Sequence, residues 1–160
     1  MMNLPFCLRS VVVNHSLFDH CVQVEVRPEP FSPWSELERW SPADAALAMF
    51  VGRVRGKSVD GAPLQALELE HYPGMTEARI AEEAEVAMAS CGACSALVLH
   101  RVGRLNPGEV IVLVAVAADR RGPAQSCCAS LLEALKHDAP IWKREWCRDL
   151  GSWLEGNTPR

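Results

Sequence analysis

Two strongly apolar segments, residues 95–102 and 109–117, constrain the fold of this chain more than any other feature. Continuous apolar runs of this length, bounded by turn residues, are typical of buried strands. The residues between them include Leu105-Asn106-Pro107-Gly108, in which Pro and Gly favour a tight turn. The sequence therefore predicts a β-hairpin in the core.

Three further segments have strand character. Residues 21–27 alternate Val22, Val24 and Val26 with polar side chains, which is the period of a half-buried strand. Residues 64–70 and 141–147 are the other two predicted strands.

Two segments have the pattern of long helices. Residues 76–90 follow the turn at residues 71–74, carry an apolar stripe and end before Gly92. Residues 123–137 begin at a proline, which suits the first helical position, and end before Pro140. We therefore expect two main helices.

Two regions give mixed signals. Ser41-Pro42-Ala43-Asp44 is typical of a helix start and residues 45–49 have helical propensity, whereas residues 50–55 have strand character. Residues 1–20 contain one short apolar run and are predicted to be either an extra strand or a mobile N-terminal extension. We expect residues 21–160 to form a single domain.

Length and charge restrict the function. A chain of 160 residues buries enough surface for one independent core. The net charge of -4 argues against a nucleic-acid-binding surface, so any anion site must be local. No apolar run approaches the ~18 residues of a membrane span. We therefore expect a soluble protein with neither a nucleic-acid nor a membrane partner.

The seven cysteines indicate a reducing compartment, because the count is odd and the N-terminus lacks the pattern of a signal peptide. Cys91 and Cys94 form an isolated CxxC that lacks the further ligands of a zinc site, and we interpret both as small packing residues. His71 and His100 are interpreted as structural residues. We predict a cytoplasmic protein without a metal or a cofactor.

Lysine is rare in this chain, which has three lysines and thirteen arginines. Lys136 and Lys143 lie on either side of a predicted corner between a helix and a strand, formed at Pro140. An ammonium group can lose its proton, whereas a guanidinium group stays charged. The pair therefore predicts a reactive pocket rather than a generic cationic surface. The alternative is that both lysines are ordinary surface residues.

The predicted strand at residues 141–147 should have two different faces. Alternation places Ile141, Lys143 and Glu145 on one face. Trp142, Arg144 and Trp146 then lie on the other face. We predict that the face with Lys143 and Glu145 is the reactive one.

Arg120 and Arg121 precede the second long helix. The free amides and the dipole of a helix N-terminus favour an anion, so the two guanidinium groups there predict a phosphate site. A solvated pair of surface arginines is the alternative interpretation.

Four ordered segments of the chain resemble the large, catalytic subunit of molybdopterin synthase. They are Phe50-Val51-Gly52-Arg53-Val54-Arg55, Leu69-Glu70-His71-Tyr72-Pro73-Gly74-Met75-Thr76-Glu77, His100-Arg101-Val102-Gly103 and Ala139-Pro140-Ile141-Trp142-Lys143-Arg144-Glu145. The resemblance covers residues 24–155. It implies an α+β fold of the α/β-hammerhead type with a mostly antiparallel sheet, and a strand rather than a helix leading into Arg53.

The resemblance implies sulfur transfer in molybdenum-cofactor synthesis. Cyclic pyranopterin monophosphate receives two sulfurs and becomes molybdopterin. The sulfur is carried as a thiocarboxylate on the C-terminal Gly-Gly tail of a small ubiquitin-like subunit. The resemblance also implies a homodimer of large subunits at the centre of a heterotetramer. The alternative function is a non-catalytic binding module for a ubiquitin-like tail.

The resemblance also implies the residues of the site. Lys136 is expected to be the main proton donor or acceptor, supported by Lys143, with nearby arginines lowering a lysine pKa. Arg120 departs from the family, which commonly has His there, and this leaves phosphate binding as its expected role. The substrate-binding positions are Arg53, Val54, Arg55, Arg120, Arg121, Lys136, Lys143, Arg144 and Glu145.

Overall fold

Two β-sheets organise the protein. The computed structural model describes residues 11–14 and 21–154, which form nine strands and three helices. The strands are β1 (Val11–Asn14), β2 (Cys21–Arg27), β3 (Ala46–Arg53), β4 (Ala66–His71), β5 (Ser95–Arg101), β6 (Gly103–Leu105), β7 (Val110–Ala118), β8 (Ile141–Cys147) and β9 (Leu150–Trp153). The helices are α1 (Pro33–Trp40), α2 (Met75–Cys91) and α3 (Arg121–Asp138).

The larger sheet has the order β1-β2-β5-β7-β3. The predicted hairpin is confirmed, because β5 and β7 pair antiparallel at its centre, with Val98 opposite Val114. Both of these valines are fully buried. Between the two strands the chain leaves this sheet at Gly103, whose φ of +85° suits glycine, and forms β6 in the second sheet.

The smaller sheet has the order β6-β4-β8-β9, with antiparallel pairing throughout. Its own core contains Val54, Leu64, Leu69, Val102 and Leu105. Among the described strands, β2 and β5 form the one parallel pair. The expected α+β fold with mostly antiparallel sheets is therefore confirmed.

The two long helices cover one face of the larger sheet, and their buried side chains form the main core with Val22, Val98 and Val116. Helix α2 begins after Gly74, whose backbone N–H donates to the Glu77 carboxylate at 2.7 Å. It ends at Gly92 in the left-handed conformation. Helix α3 ends directly before Ala139 and Pro140. The prediction of two main helices is confirmed.

The helix expected over residues 45–49 from local propensity is not formed, because residues 46–49 are the start of strand β3. The strand pairs along its length with β7, and this pairing outweighs a weak local preference. The strand implied by the family resemblance is confirmed. A helix does occur just upstream, at α1, where Ser32 caps the N-terminus and Pro33 is the first helical residue.

Part of the N-terminal segment is a strand, since β1 pairs antiparallel with β2. Of the two expectations for residues 1–20, the extra strand is therefore found at residues 11–14. The rest of that segment lies outside the described residues. No helix in the part of the chain that the structure describes is long and apolar enough to cross a membrane.

Candidate functional site

A cavity of about 370 Å³ lies where the two sheets meet. This volume is in the range of small-molecule sites. Its polar wall consists of Arg53, Arg55, His100, Lys143 and Glu145. The apolar wall consists of Phe50, Val54, Leu64, Leu67, Leu69, Ile111, Val112 and Leu154. The cavity therefore combines three cations with a largely apolar surface.

Lys143 reaches the cavity from β8, where it pairs with Leu69 of β4. The pKa of this lysine is lowered from its ordinary value of 10.5. Burial is the main cause, followed by the positive charges of Lys136 and Arg55. The site thus favours a neutral amine at a lower pH than an exposed lysine would.

Lys136 occupies the last turn of α3. Its charge contributes to the lowered pKa of Lys143, so the helix-to-strand corner at Pro140 brings the two lysines near each other. A second cleft of about 250 Å³ runs along this corner from His137 to Lys143, and shares Lys143 and Leu154 with the larger cavity. Lys143 therefore faces both spaces.

Thr76 holds the corner in place. Its side chain is completely buried, and its hydroxyl donates to the Pro140 carbonyl at 3.2 Å while accepting from the Tyr72 N–H at 3.3 Å. The Tyr72 ring also contacts Trp142 edge to face, with ring centroids 5.0 Å apart. Sequence reasoning did not assign Thr76 a role, because a threonine in the first turn of a helix has no distinctive signal.

Glu145 is buried and both of its carboxylate oxygens have donors. Arg55 Nη2 donates to Oε1 at 3.0 Å, and the Val59 N–H donates to Oε2 at 3.1 Å. Glu145 therefore orients the Arg55 guanidinium and holds the loop that carries Val59.

Arg53 and Val54 form the rim and wall of the cavity. Arg53 is exposed and donates to the Gly108 carbonyl at 3.5 Å, just after a bulge between Gly52 and Arg53. Val54 is 3% exposed and belongs to the core of the smaller sheet.

His100 is also part of the wall, a position that sequence reasoning missed because a single histidine in an apolar strand is more often structural. Its Nδ1 lies 2.8 Å from the Arg101 carbonyl. Because a carbonyl only accepts, Nδ1 carries the proton and Nε2 is an acceptor. Burial is the main factor that lowers the pKa of His100, to about 4, so the ring is neutral at pH 7.

Arg144 lies on the opposite face of β8, in agreement with the predicted alternation. Its guanidinium is 3.9 Å from the Trp153 ring centroid and forms an ion pair with Glu68 at 3.5 Å. It is also 5.7 Å from the Trp146 ring. The structure therefore does not bring Arg144 together with Lys143.

Arg120 and Arg121 are exposed at the start of α3. Arg121 and Lys136 are separated by fifteen residues of helix, or about 22 Å along the axis. Within one chain the structure thus separates the predicted phosphate site from the lysine pair.

The two cysteines of the CxxC contact different neighbours. Cys91 forms a hydrogen bond with the thiol of Cys127, whereas Cys94 interacts with Asp44 and Asp119. Burial is the main cause of the raised pKa of Cys94, and also raises that of Cys127 to about 12. The six cysteines that the structure describes are all free thiols.

The fold and the cavity define an α+β protein with a local cationic pocket suited to an anionic ligand. The family model described as MoaE protein matches residues 26–138, and the chain belongs to this family.

Individual proteins and solved structures are also similar to this chain. The molybdopterin synthase catalytic subunit of Ralstonia nicotianae is 44% identical over 71% of this chain and 64% of its own length, so the chain spans somewhat less than two thirds of that relative. The protein of the same name from Cereibacter sphaeroides is 42% identical over 83% of this chain and 91% of its own. The solved molybdopterin synthase from Staphylococcus aureus has a TM-score of 0.74 at 28% identity, over 82% of this chain and 96% of that chain.

Proposed function

We propose that this chain is the catalytic subunit of a molybdopterin synthase, which transfers two sulfurs to cyclic pyranopterin monophosphate. The observation that carries the proposal is the placement of Lys143, with a lowered pKa, in a cationic cavity on the MoaE family fold. The sulfur donor is the thiocarboxylated C-terminal tail of a small ubiquitin-like subunit.

The charges of the cavity suit both reactants. A thiocarboxylate and a phosphorylated pterin are anions, and the chain as a whole has a net charge of -4. Arg53, Arg55 and Lys143 supply a local excess of donors on the polar wall. The apolar part of the wall provides a surface for the flat pterin ring.

The two lysines have different roles in proton transfer. Lys143 is the better acceptor, because burial and two neighbouring cations favour its neutral amine. Lys136 lies in the adjacent helical turn, and we assign it the complementary role of proton donor. With these roles, both lysines are needed for turnover, whereas the protein folds without them.

We propose that the arginine pair acts on the cavity of a second copy. Strand β3 is an edge of the larger sheet and carries exposed Leu47 and Met49. Its first residue, Ala46, pairs with Ala118 beside Arg120, whereas its last residue is Arg53 at the cavity. Antiparallel pairing of two β3 strands about a two-fold axis would place the arginine pair of one copy near the cavity of the other.

Mixing variants tests this arrangement. Arg121→Ala and Lys143→Ala, each expected to have little activity as a homodimer, are co-expressed and purified together. If the site is shared, random pairing leaves one intact site in each mixed dimer, and activity returns to about a quarter of the wild-type level. If the mixture is no more active than the separate variants, the arginines of one copy do not act on the cavity of the other.

The proposed function is tested directly by incubation with the thiocarboxylated small subunit and cyclic pyranopterin monophosphate, followed by detection of the dithiolene product. The wild-type chain should form the product, and folded Lys136→Ala and Lys143→Ala should form it about 10²- to 10⁴-fold more slowly. Binding of the small subunit without product formation by the wild type would instead support the non-catalytic binding module.

A further inference from the structure

The polar wall of the cavity is rich in donors and poor in acceptors. Arg53, Arg55 and Lys143 carry N–H groups only. Glu145 is an acceptor, but its two oxygens are already engaged by Arg55 and Val59. Among the described side chains that line the cavity, His100 is therefore the acceptor to which no protein group donates.

The geometry of His100 fixes which nitrogen accepts. Nδ1 donates to the Arg101 carbonyl at 2.8 Å, so the lone pair is on Nε2. Nε2 has no hydrogen-bond partner among the residues that the structure describes. The residue lies near the end of β5, opposite Val26 on one side and Val112 on the other, which holds its backbone in the middle of the larger sheet.

The surroundings keep the ring neutral. Burial is the main factor in the low pKa of His100, and the charge of Lys143 lowers it further. The electrostatic contribution of His71 acts in the same direction. A neutral imidazole among cations keeps its accepting lone pair at physiological pH.

A ligand that satisfies such a wall must have two kinds of groups. Anionic oxygens or sulfur pair with the arginines and the lysine, whereas an acceptor in the wall needs a ligand N–H. A pterin has both, because its phosphate is anionic and its ring system carries N–H and amino groups. An anion without an N–H or O–H group, such as sulfate or a carboxylate, would leave Nε2 of His100 unpaired.

We propose that Nε2 of His100 accepts a hydrogen bond from a ring N–H or amino group of the pterin and thereby selects the heterocycle. This inference rests on the proposed function. It makes His100 a substrate-specificity residue, separate from the lysines that move protons and from the arginines that bind anions.

The experiment measures binding of cyclic pyranopterin monophosphate by calorimetry to the wild type and three variants. His100→Phe keeps a ring but removes both nitrogens. His100→Asn keeps a polar group at the reach of Nδ1 and loses the acceptor at Nε2. His100→Gln places an amide oxygen near the position of Nε2.

We expect the Kd to rise roughly three- to tenfold in His100→Phe and His100→Asn, the usual effect of losing one neutral hydrogen bond. His100→Gln should recover most of the affinity. Sulfate, an anion without a donor, should bind all variants as it binds the wild type, because it cannot donate to Nε2. Thermal melting identifies a variant that fails to fold. The difference in pterin affinity between folded His100→Asn and folded His100→Gln then tests the role of Nε2.

Equal affinity of the Asn and Gln variants for the pterin would overturn the proposal. A parallel loss of sulfate binding would also overturn it, because the effect would then be general damage to the cavity. A wild-type chain that does not bind the pterin removes the proposed function and this inference together. A wild type that binds it, with variants that bind equally well, removes only the role of His100.

Discussion

The two faces of β8 carry similar residues in different environments. On the inner face Lys143 lies opposite Leu69, and Glu145 lies opposite Leu67. On the outer face Arg144 lies opposite Glu68 and beneath Trp153. The inner cation is surrounded by apolar side chains and like charges, whereas the outer cation has a carboxylate and an aromatic ring as partners.

This difference shows which cation is available for chemistry. A guanidinium that is paired and stacked contributes to the stability of the sheet. An ammonium that is partly desolvated beside two other cations is held in a form that readily loses its proton. The partner strand β4 creates the contrast, because its own alternation presents leucines inward and glutamates outward.

Replacement of one cation on each face should give the largest contrast. Lys143→Ala should lower the rate of dithiolene formation by about 10²- to 10⁴-fold, the usual contribution of a general acid or base. Arg144→Ala should change the rate by less than a few fold, because Arg144 does not reach the cavity. Single-turnover assays on folded protein measure both rates. A similar loss in the two variants would contradict the separation of the faces.

The pH dependence of the rate should be determined by Lys143 and the charges near it, and not by residues on the outer face of β8. If the neutral amine of Lys143 accepts a proton, the rate rises as pH increases through its pKa, and the lowered pKa places this rise below the value of 10.5. Arg55→Ala removes one like charge, so the pKa of Lys143 should increase and the rise should move to higher pH.

The control for this measurement is Arg144→Ala, whose rate should rise at the same pH as that of the wild type. Profiles of kcat against pH check both shifts. An Arg55→Ala profile that moves to lower pH would show that the charge of Arg55 does not govern this amine.

Removal of Glu145 should have a medium effect, mainly on stability. Glu145→Ala leaves the Val59 N–H and the Arg55 guanidinium without their acceptor, at a cost of about 1–3 kcal/mol in the free energy of unfolding. The affinity for the pterin should also fall, because Arg55 loses its orientation. Denaturant titration and substrate binding measure the two effects. Unchanged stability would mean that the buried carboxylate has no structural role.

Local signals predicted the parts of the molecule that depend on local geometry. The alternation of β8 and the corner at Pro140 follow from a period of two and from the constraint that proline places on its neighbour. The position of β3 was not predictable from propensity, because the strand is stabilised by pairing with β7. Helix α1, which begins at Pro33, was not among the predicted helices.

The site was predictable only in part. The two lysines follow from their rarity, but the cavity itself arises where the two sheets meet, which no local pattern reports. The place of His100 in the wall depends on that packing. The distance between Arg121 and Lys136 follows from the length of one continuous helix, so it could have been derived from the sequence.

The smallest expected effect lies on the outer face, in the contact between Arg144 and Trp153. A double-mutant cycle with Arg144→Ala and Trp153→Ala should give a coupling of about 0.5–1 kcal/mol in the free energy of unfolding, the range of a cation–π contact near the surface. Neither variant should change the affinity for the pterin. The matched pair Arg144 and Glu68 should couple more weakly, because an ion pair at 3.5 Å near solvent contributes little. A coupling that appeared in the rate of dithiolene formation rather than in stability would mean that the outer face also acts on the reaction, and the contrast between the two faces would no longer hold.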